Sequence, residues 1–286
     1  MIFFQRYLAI DGLDEPENKN MVRAGLIIAL LAMVLRAIFW AYTHRYWEDA
    51  LITCLHSENF VLGKGLTHFR PGEPPLHGFT SPLSVLVPLI GDFMKVGFGL
   101  EFLKLVSIPA AALTVLYLLA LSIHSHIKLS APLAILLMGF AAVEHHQILY
   151  GMAGMETQLS VLIMVMSVYY LVAWKPIPLA ITLGLCMLVR PDYGFWTVIV
   201  GLYVLVKEPK SLLKVVAIAC AVYLPWIIFT FLYYGTPLPN TIVAKGLGYG
   251  KWWAGLEGGP GLWDFKRRAW VVMAEQLHLM LSPPFN

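Results

Sequence analysis

Glu48 and Asp49 stand side by side just after the first long apolar run, at the head of a polar stretch from Trp47 to Leu83. Two carboxylates in sequence cannot both ionise freely in a partly desolvated cleft, so one should titrate near the value a general base needs. A structural role competes, because Asp49 can cap a helix over 50–62 by accepting backbone N–H bonds. Far along the chain, Arg190-Pro191-Asp192 interrupts another apolar run. A guanidinium is a planar, permanently charged fork that matches phosphate oxygens, although Arg190 and Asp192 can also pair with each other. Base and cation together suit a transfer in which a hydroxyl attacks and a phosphate departs.

These groups must be carried by membrane helices. Apolar residues make up 59% of the 286-residue chain and charged residues only 13%, and the mean hydropathy of +0.72 lies outside the range of an ordinary soluble domain. The formal net charge of +3 is membrane-protein asymmetry and does not point to nucleic acid. Runs long enough for the ~20 residues of a crossing fall at 22–42, 102–123, 131–148, 157–174 and 214–233. Asp11, Asp14, Glu15 and Glu17 precede the first run and no small-residue cleavage site follows it, so it reads as an uncleaved first span. Cys54, Cys186 and Cys220 lie far apart and indicate neither a disulfide framework nor a zinc site.

Arg6, Lys19, Arg23, Lys128, Lys175, Lys207, Lys210 and Lys214 mark the cytoplasmic ends. That parity puts 43–101 and 234–265 outside and leaves 82–99, with Asp92 and Lys95 in it, along the outer interface. The segment 177–206 then enters and leaves on the cytoplasmic side. At about thirty residues it is too short for two crossings, so a hairpin should present Arg190 and Asp192 at membrane depth; a single tilted helix with the two paired is the alternative. The apolar part of the C-terminal stretch, 269–281, is also too short to cross. The expected architecture is all-α: a single polytopic domain over 1–286 with about seven spans, interfacial helices in the first outer loop and no soluble C-terminal domain.

The first loop carries Glu48-Asp49-Ala50, Ile52-Thr53, Glu58-Asn59, Gly63-Lys64-Gly65, Pro71-Gly72-Glu73 and Gly78-Phe79-Thr80-Ser81-Pro82-Leu83. In order and spacing this resembles the first extracytoplasmic loop of GT-C membrane glycosyltransferases, especially the bacterial arabinofuranosyltransferase-like branch. Gly151-Met152-Ala153-Gly154-Met155-Glu156-Thr157 and the run Leu238-Pro239-Asn240 to Lys245 are similar to two further elements of that family. The resemblance implies a polyprenyl-phosphate-sugar-dependent hexosyl- or pentosyltransferase of cell-envelope glycan biosynthesis. It would lie in the bacterial inner (plasma) membrane with its site facing the extracytoplasmic side. It also implies Asp49 or Glu48 as base and makes Lys245, Glu156, Asn240, Glu58, Asn59, Thr80 and Ser81 substrate-binding candidates; Arg190 joins them through its planar fork and its expected depth in the membrane. Glu156 serves equally as an acid favoured by a helix N-terminus.

Direct attack would invert the sugar carbon. The partners implied are the lipid-linked sugar donor, a glycan or lipid acceptor and membrane lipids. These residues name no cofactor, and a divalent metal is left open. Arg36, late in the first span, reads as snorkelling to the outer interface, with lining the site as its alternative. His145 and His146 lie beside Glu144, but adjacent helical side chains diverge and no H-x-x-x-H spacing is present, so they read as an interfacial pair. Tyr42, Tyr46, Trp47, Trp252 and Trp253 read as belt aromatics. A transporter or flippase of lipid-linked sugars, or a catalytically silent partner of a fuller transferase, competes with the enzyme reading.

Overall fold

The computed structural model describes residues 15–68 and 74–242. Lys245, Trp252, Trp253, Pro71-Gly72-Glu73 and the 269–281 segment lie outside the described residues. Ten α-helices follow one another, with no strand among the described residues: α1 Lys19–Thr43, α2 Glu48–Val61, α3 Leu83–Met94, α4 Gly99–Ile123, α5 Ala131–Val143, α6 His145–Met152, α7 Thr157–Val172, α8 Pro176–Val189, α9 Gly194–Lys207 and α10 Pro209–Tyr234. Prolines open α8 and α10, where a missing N–H costs nothing, and Gly235 closes α10 in the left-handed region at φ +74°. Four stretches, Pro16–Thr43, Gly99–Ile123, Ala131–Met152 and Pro209–Tyr234, are long and apolar enough to cross a membrane, the mark of a multi-pass membrane protein.

α4 is the hub, packed against α1, α3, α5 and α7. Its Leu103, Val115, Tyr117, Leu119 and Ala120 are wholly buried. Small residues let the backbones close in: Ala29 and Ala32 of α1, Ala110 and Ala111 of α4, Ala134 and Ala142 of α5. Between α8 and α10 the approach is closer still. A Cβ on Gly184 would stand 2.6 Å from Val222 Cβ and 2.8 Å from the Ala219 carbonyl, so any larger residue drives the pair apart.

Polar staples hold the bundle. Arg36 does not snorkel: its side chain is fully buried. Its Nε and Nη2 donate to Gln158 Oε1 at 3.0 and 2.7 Å, and Nη1 donates to the carbonyls of Ala32 and Ala142, each at 3.1 Å. Gln158 Nε2 in turn donates to Thr114 Oγ1 at 3.1 Å. The guanidinium therefore joins α1, α5, α7 and α4, because four elements that the sequence does not show as neighbours close around it. Asp92, also buried, plays a similar part. Its Oδ1 accepts the N–H groups of Gly97 and Gly99 at 3.0 and 2.8 Å, and its Oδ2 accepts the Ser57 hydroxyl of α2. It thus locks α3, the start of α4 and α2 together.

The segment 177–206 is two helices. α8 ends at Val189, Pro191–Tyr193 forms a 3-10 turn, and α9 runs on from Gly194. Trp174, just before α8, donates from Nε1 to Glu208 Oε2 at 2.9 Å, and Lys207 Nζ lies 4.0 Å over the Trp174 ring. The start of α8 and the end of α9 therefore share one end of the molecule, and the chain is a hairpin tipped by Arg190–Tyr193. Each 14-residue arm is about 21 Å long, short of the ~30 Å hydrocarbon core.

Candidate functional site

α2 begins two residues earlier than a helix over 50–62 capped by Asp49 would. Trp47 is the N-cap residue, in extended conformation, with Glu48 and Asp49 both inside the first turn, and no side chain caps this end. Capping is therefore not the role of Asp49. The two acids also part company: successive helical residues are ~100° apart, and only Asp49 lines the cavity described next. Glu48 is exposed on another face.

The Trp47 N–H donates to the Ala153 carbonyl at 3.0 Å, tying the head of α2 to the turn between α6 and α7. Gly154 makes this possible. It has φ +92°, and a Cβ there would fall 2.2 Å from Leu100 Cδ1 and 3.2 Å from Ala50 Cβ, so only glycine permits the approach. Two residues on, Glu156 is carried to the Asp49 side of α2. The two acids, so distant in sequence, line one cavity of about 170 Å³ together with Thr53, Thr80, Ser81 and Thr241. Thr241 Oγ1 is buried without a hydrogen-bond partner. Ser81 Oγ accepts the Ser84 N–H at 3.2 Å and so fixes the loop to α3.

Glu156 is 7% exposed. It is the N-cap residue of α7, but its side chain makes no capping bond. Burial pushes its carboxyl above the usual carboxylate range, and the Asp49 charge adds to this while Arg190 opposes it. At the hairpin tip Arg190 Nη1 lies 4.0 Å from Glu156 Oε1, and its Nε donates to Asp192 Oδ1 at 3.2 Å. The Arg190 side chain is still 49% exposed, so these two acids cover it only in part. The carboxylate pair with opposed environments is thus Asp49 with Glu156, in place of the Glu48–Asp49 pair expected from adjacency.

The other sequence-predicted residues divide. Asn240 adjoins the cavity through Thr241, and its backbone N–H donates to the His77 carbonyl at 2.9 Å. Glu58 lines a different cavity of about 440 Å³ on another side of α2, with Tyr46, Asp92 and Glu101. Asn59 is buried and donates from Nδ2 to the Thr67 carbonyl at 2.7 Å, a loop brace. Lys245 lies outside the described residues. Sequence reasoning missed Thr53 and Thr241 as lining residues. Thr53 is four after Asp49, the spacing that shares a helix face, and Thr241 follows Asn240 directly.

Phe79 forms a wall of the cavity, and its ring stands 5.8 Å from that of Trp226. Trp226 in turn lines an apolar groove of about 360 Å³ with Phe60, Leu66, Leu86, Leu188 and Phe229. α3 serves both spaces, with Ser84 toward the polar cavity and Leu86 toward the groove. His56 and His77, beside this wall, are held down to about 4, in each case chiefly by burial. His145 and His146 do not diverge: their rings are 3.8 Å apart and both face Glu144, because they sit in the first turn of a helix whose N-cap carboxylate folds back over it. Comparison with models of protein families, with curated proteins and with solved structures yields no match.

Proposed function

We propose that the chain is a GT-C-type membrane glycosyltransferase that moves a sugar from a polyprenyl-phosphate carrier to an extracytoplasmic glycan or lipid acceptor. The observation that carries this reading is the joint cavity: an exposed carboxylate, Asp49, shares it with a buried one, Glu156, with a half-exposed arginine against the second and an apolar groove behind the wall. Asp49 accepts the proton of the acceptor hydroxyl as its oxygen attacks the anomeric carbon. The bond from that carbon to the phosphate oxygen breaks, and the phosphate leaves with the electron pair. Attack opposite the leaving group inverts the centre.

The divided environments give the two acids different tasks. Asp49, exposed at the cavity, is placed to take the acceptor's proton, whereas Glu156, whose carboxyl is pushed upward by burial, hydrogen-bonds a sugar hydroxyl. Thr241 Oγ1, buried without a partner, is a further group for a hydroxylated ligand to satisfy. Arg190 turns its free donors to the phosphate, with Lys245 as the second cation. The apolar groove takes the isoprenoid chain, for which a soluble sugar nucleotide would have no use. The test is the purified protein with a panel of polyprenyl-phosphate sugars, compared with Asp49→Asn and Glu48→Gln. Loss of general-base catalysis lowers turnover by about 10²-fold or more in the first variant, and the second retains it.

A further inference from the structure

α5 and α6 are one apolar stretch broken at Glu144, which has φ −59° and ψ 116°. Its carboxylate turns back over the first turn of α6, where Oε1 accepts the His146 N–H at 3.0 Å and Oε2 accepts the Gln147 N–H at 2.8 Å. That places the acid against both imidazoles. Oε1 is 3.0 Å from His146 Nδ1 and 3.7 Å from His145 Nδ1, and one ligand atom from each of the three residues lies within 4.8 Å of the others. A tetrahedral ion with bonds of about 2.0–2.1 Å keeps its ligand atoms roughly 3.3 Å apart; the two carboxylate–imidazole separations bracket that spacing, and rotation of the partly exposed His145 ring closes the widest separation, within 4.8 Å, toward it on binding. The side chains are 14 to 29% exposed, which leaves an outward face for water ligands.

We infer that Glu144, His145 and His146 form a binding site for a divalent transition ion of the Zn²⁺ class, held by two Nδ1 atoms and one carboxylate oxygen. In the empty site, the Nδ1–H tautomer of His146 donates to Oε1. Binding moves that proton to Nε2 and frees the Nδ1 lone pair, so a neutral imidazole binds without any change in its proton count. Oε1 keeps one lone pair for the backbone N–H and gives the other to the metal.

Two features set the metal class. The positive end of α6 and the guanidinium of Arg36, bonded to Ala142 two residues away, both oppose a cation. A hard ion bound mainly by charge and oxygen ligands gains little here, whereas imidazole nitrogens favour zinc, nickel and copper. The site also touches the end of the molecule that bears Asp49. The His146 ring stacks with Tyr150 at 6.1 Å, Tyr150 meets Trp47 edge-on at 5.1 Å, and Trp47 is the N-cap residue of α2.

The experiment is titration of the purified, chelator-stripped full chain in detergent with Zn²⁺ and, separately, Mg²⁺, against a competing chromophoric chelator, with melting followed in parallel. The site predicts one Zn²⁺ per chain, a rise in Tm on binding and no competition from Mg²⁺. His145→Ala and His146→Ala should each weaken Zn²⁺ by at least ~100-fold, beyond the loss typical of an outer-shell change. The His145 ring contacts His146 at 3.8 Å and approaches Glu144 at 3.7 Å with 29% of the side chain exposed, so His145→Ala should change the metal-free Tm by only a few degrees, and a melt without metal separates ligand loss from misfolding. His56→Gln, in the other histidine cluster, should leave Zn²⁺ binding intact. Absence of a stoichiometric Zn²⁺, equal binding by His145→Ala, or loss of binding only in His56→Gln would each overturn the assignment.

Discussion

Replacing Arg190 by alanine separates a ligand-binding arginine from a structural one. The Arg190–Asp192 contact at 3.2 Å joins side chains that are 49 and 60% exposed, and exposed pairs of this kind are worth about 0–1 kcal/mol. The approach to Glu156 at 4.0 Å involves a buried acid but a half-exposed arginine, so screening leaves a contribution of the same order, about 1 kcal/mol. Removing Arg190 therefore lowers Tm by no more than a few degrees. A charge-assisted phosphate contact is worth about 1.5–3 kcal/mol, so the same change weakens a polyprenyl-phosphate donor by roughly 10- to 150-fold. Arg190→Lys, which keeps charge but loses the fork, falls between. Thermal melts and donor-binding titrations on Arg190→Ala, Arg190→Lys and the Arg190→Ala/Asp192→Asn double variant decide the matter. Wild-type donor affinity in Arg190→Ala, or affinity and stability recovered together in the double variant, refutes the reasoning.

Arg36→Met should melt far lower than wild type. It strands Gln158 Oε1 and the Ala142 carbonyl inside the bundle, at about 1–3 kcal/mol for each orphaned acceptor; an unchanged melt would return Arg36 to the surface. His56 and His77 are kept neutral by burial, at about 4, below their unfolded value of about 6.5. Their contribution to stability is full above that value and is lost as pH falls from about 6.5 toward 4, at about 3 kcal/mol for each imidazole that must charge. His77→Phe removes a buried, unpartnered Nδ1 and keeps the stack on Tyr234, so it should flatten this acid limb without loss at neutral pH, which a melt-versus-pH series reads. Glu156 titrates above its unfolded value, so the folded state holds the extra proton and stability falls as pH rises through the carboxylate range. The Tm difference between Glu156→Gln and wild type should accordingly move in the variant's favour between pH 4 and pH 8, and a constant difference would contradict the assigned environment.

The hairpin was legible because its signals are local: proline after Arg190, lysines at both ends, and a length that two crossings cannot fit. The helical class was legible for the same reason. Arg36 was not, since its place late in an apolar run is the same for a snorkelling residue as for a buried staple, and only Gln158 and Ala142 from distant helices distinguish them. Asp92 looked like an interruption, but its lock on Gly97, Gly99 and Ser57 depends on how α2, α3 and α4 meet. Asp49 and Glu156 were each visible as acids, yet their sharing of one cavity rests on the Gly154 turn pressing against Ala50. The break at Glu144 carries no proline or glycine, so nothing local announced that the two histidines would turn to a common carboxylate.

The central claim is that Asp49, and not its neighbour Glu48, is the base of a transfer from a lipid-linked sugar phosphate. The most direct measurement is single-turnover transfer from a radiolabelled polyprenyl-phosphate sugar by wild type, Asp49→Asn and Glu48→Gln, with donor binding measured on the same samples. The account predicts transfer by wild type and Glu48→Gln, and a rate about 10²-fold lower or worse in Asp49→Asn with donor binding retained. Wild-type transfer by Asp49→Asn, or donor binding with no transfer by any of the three, would contradict it.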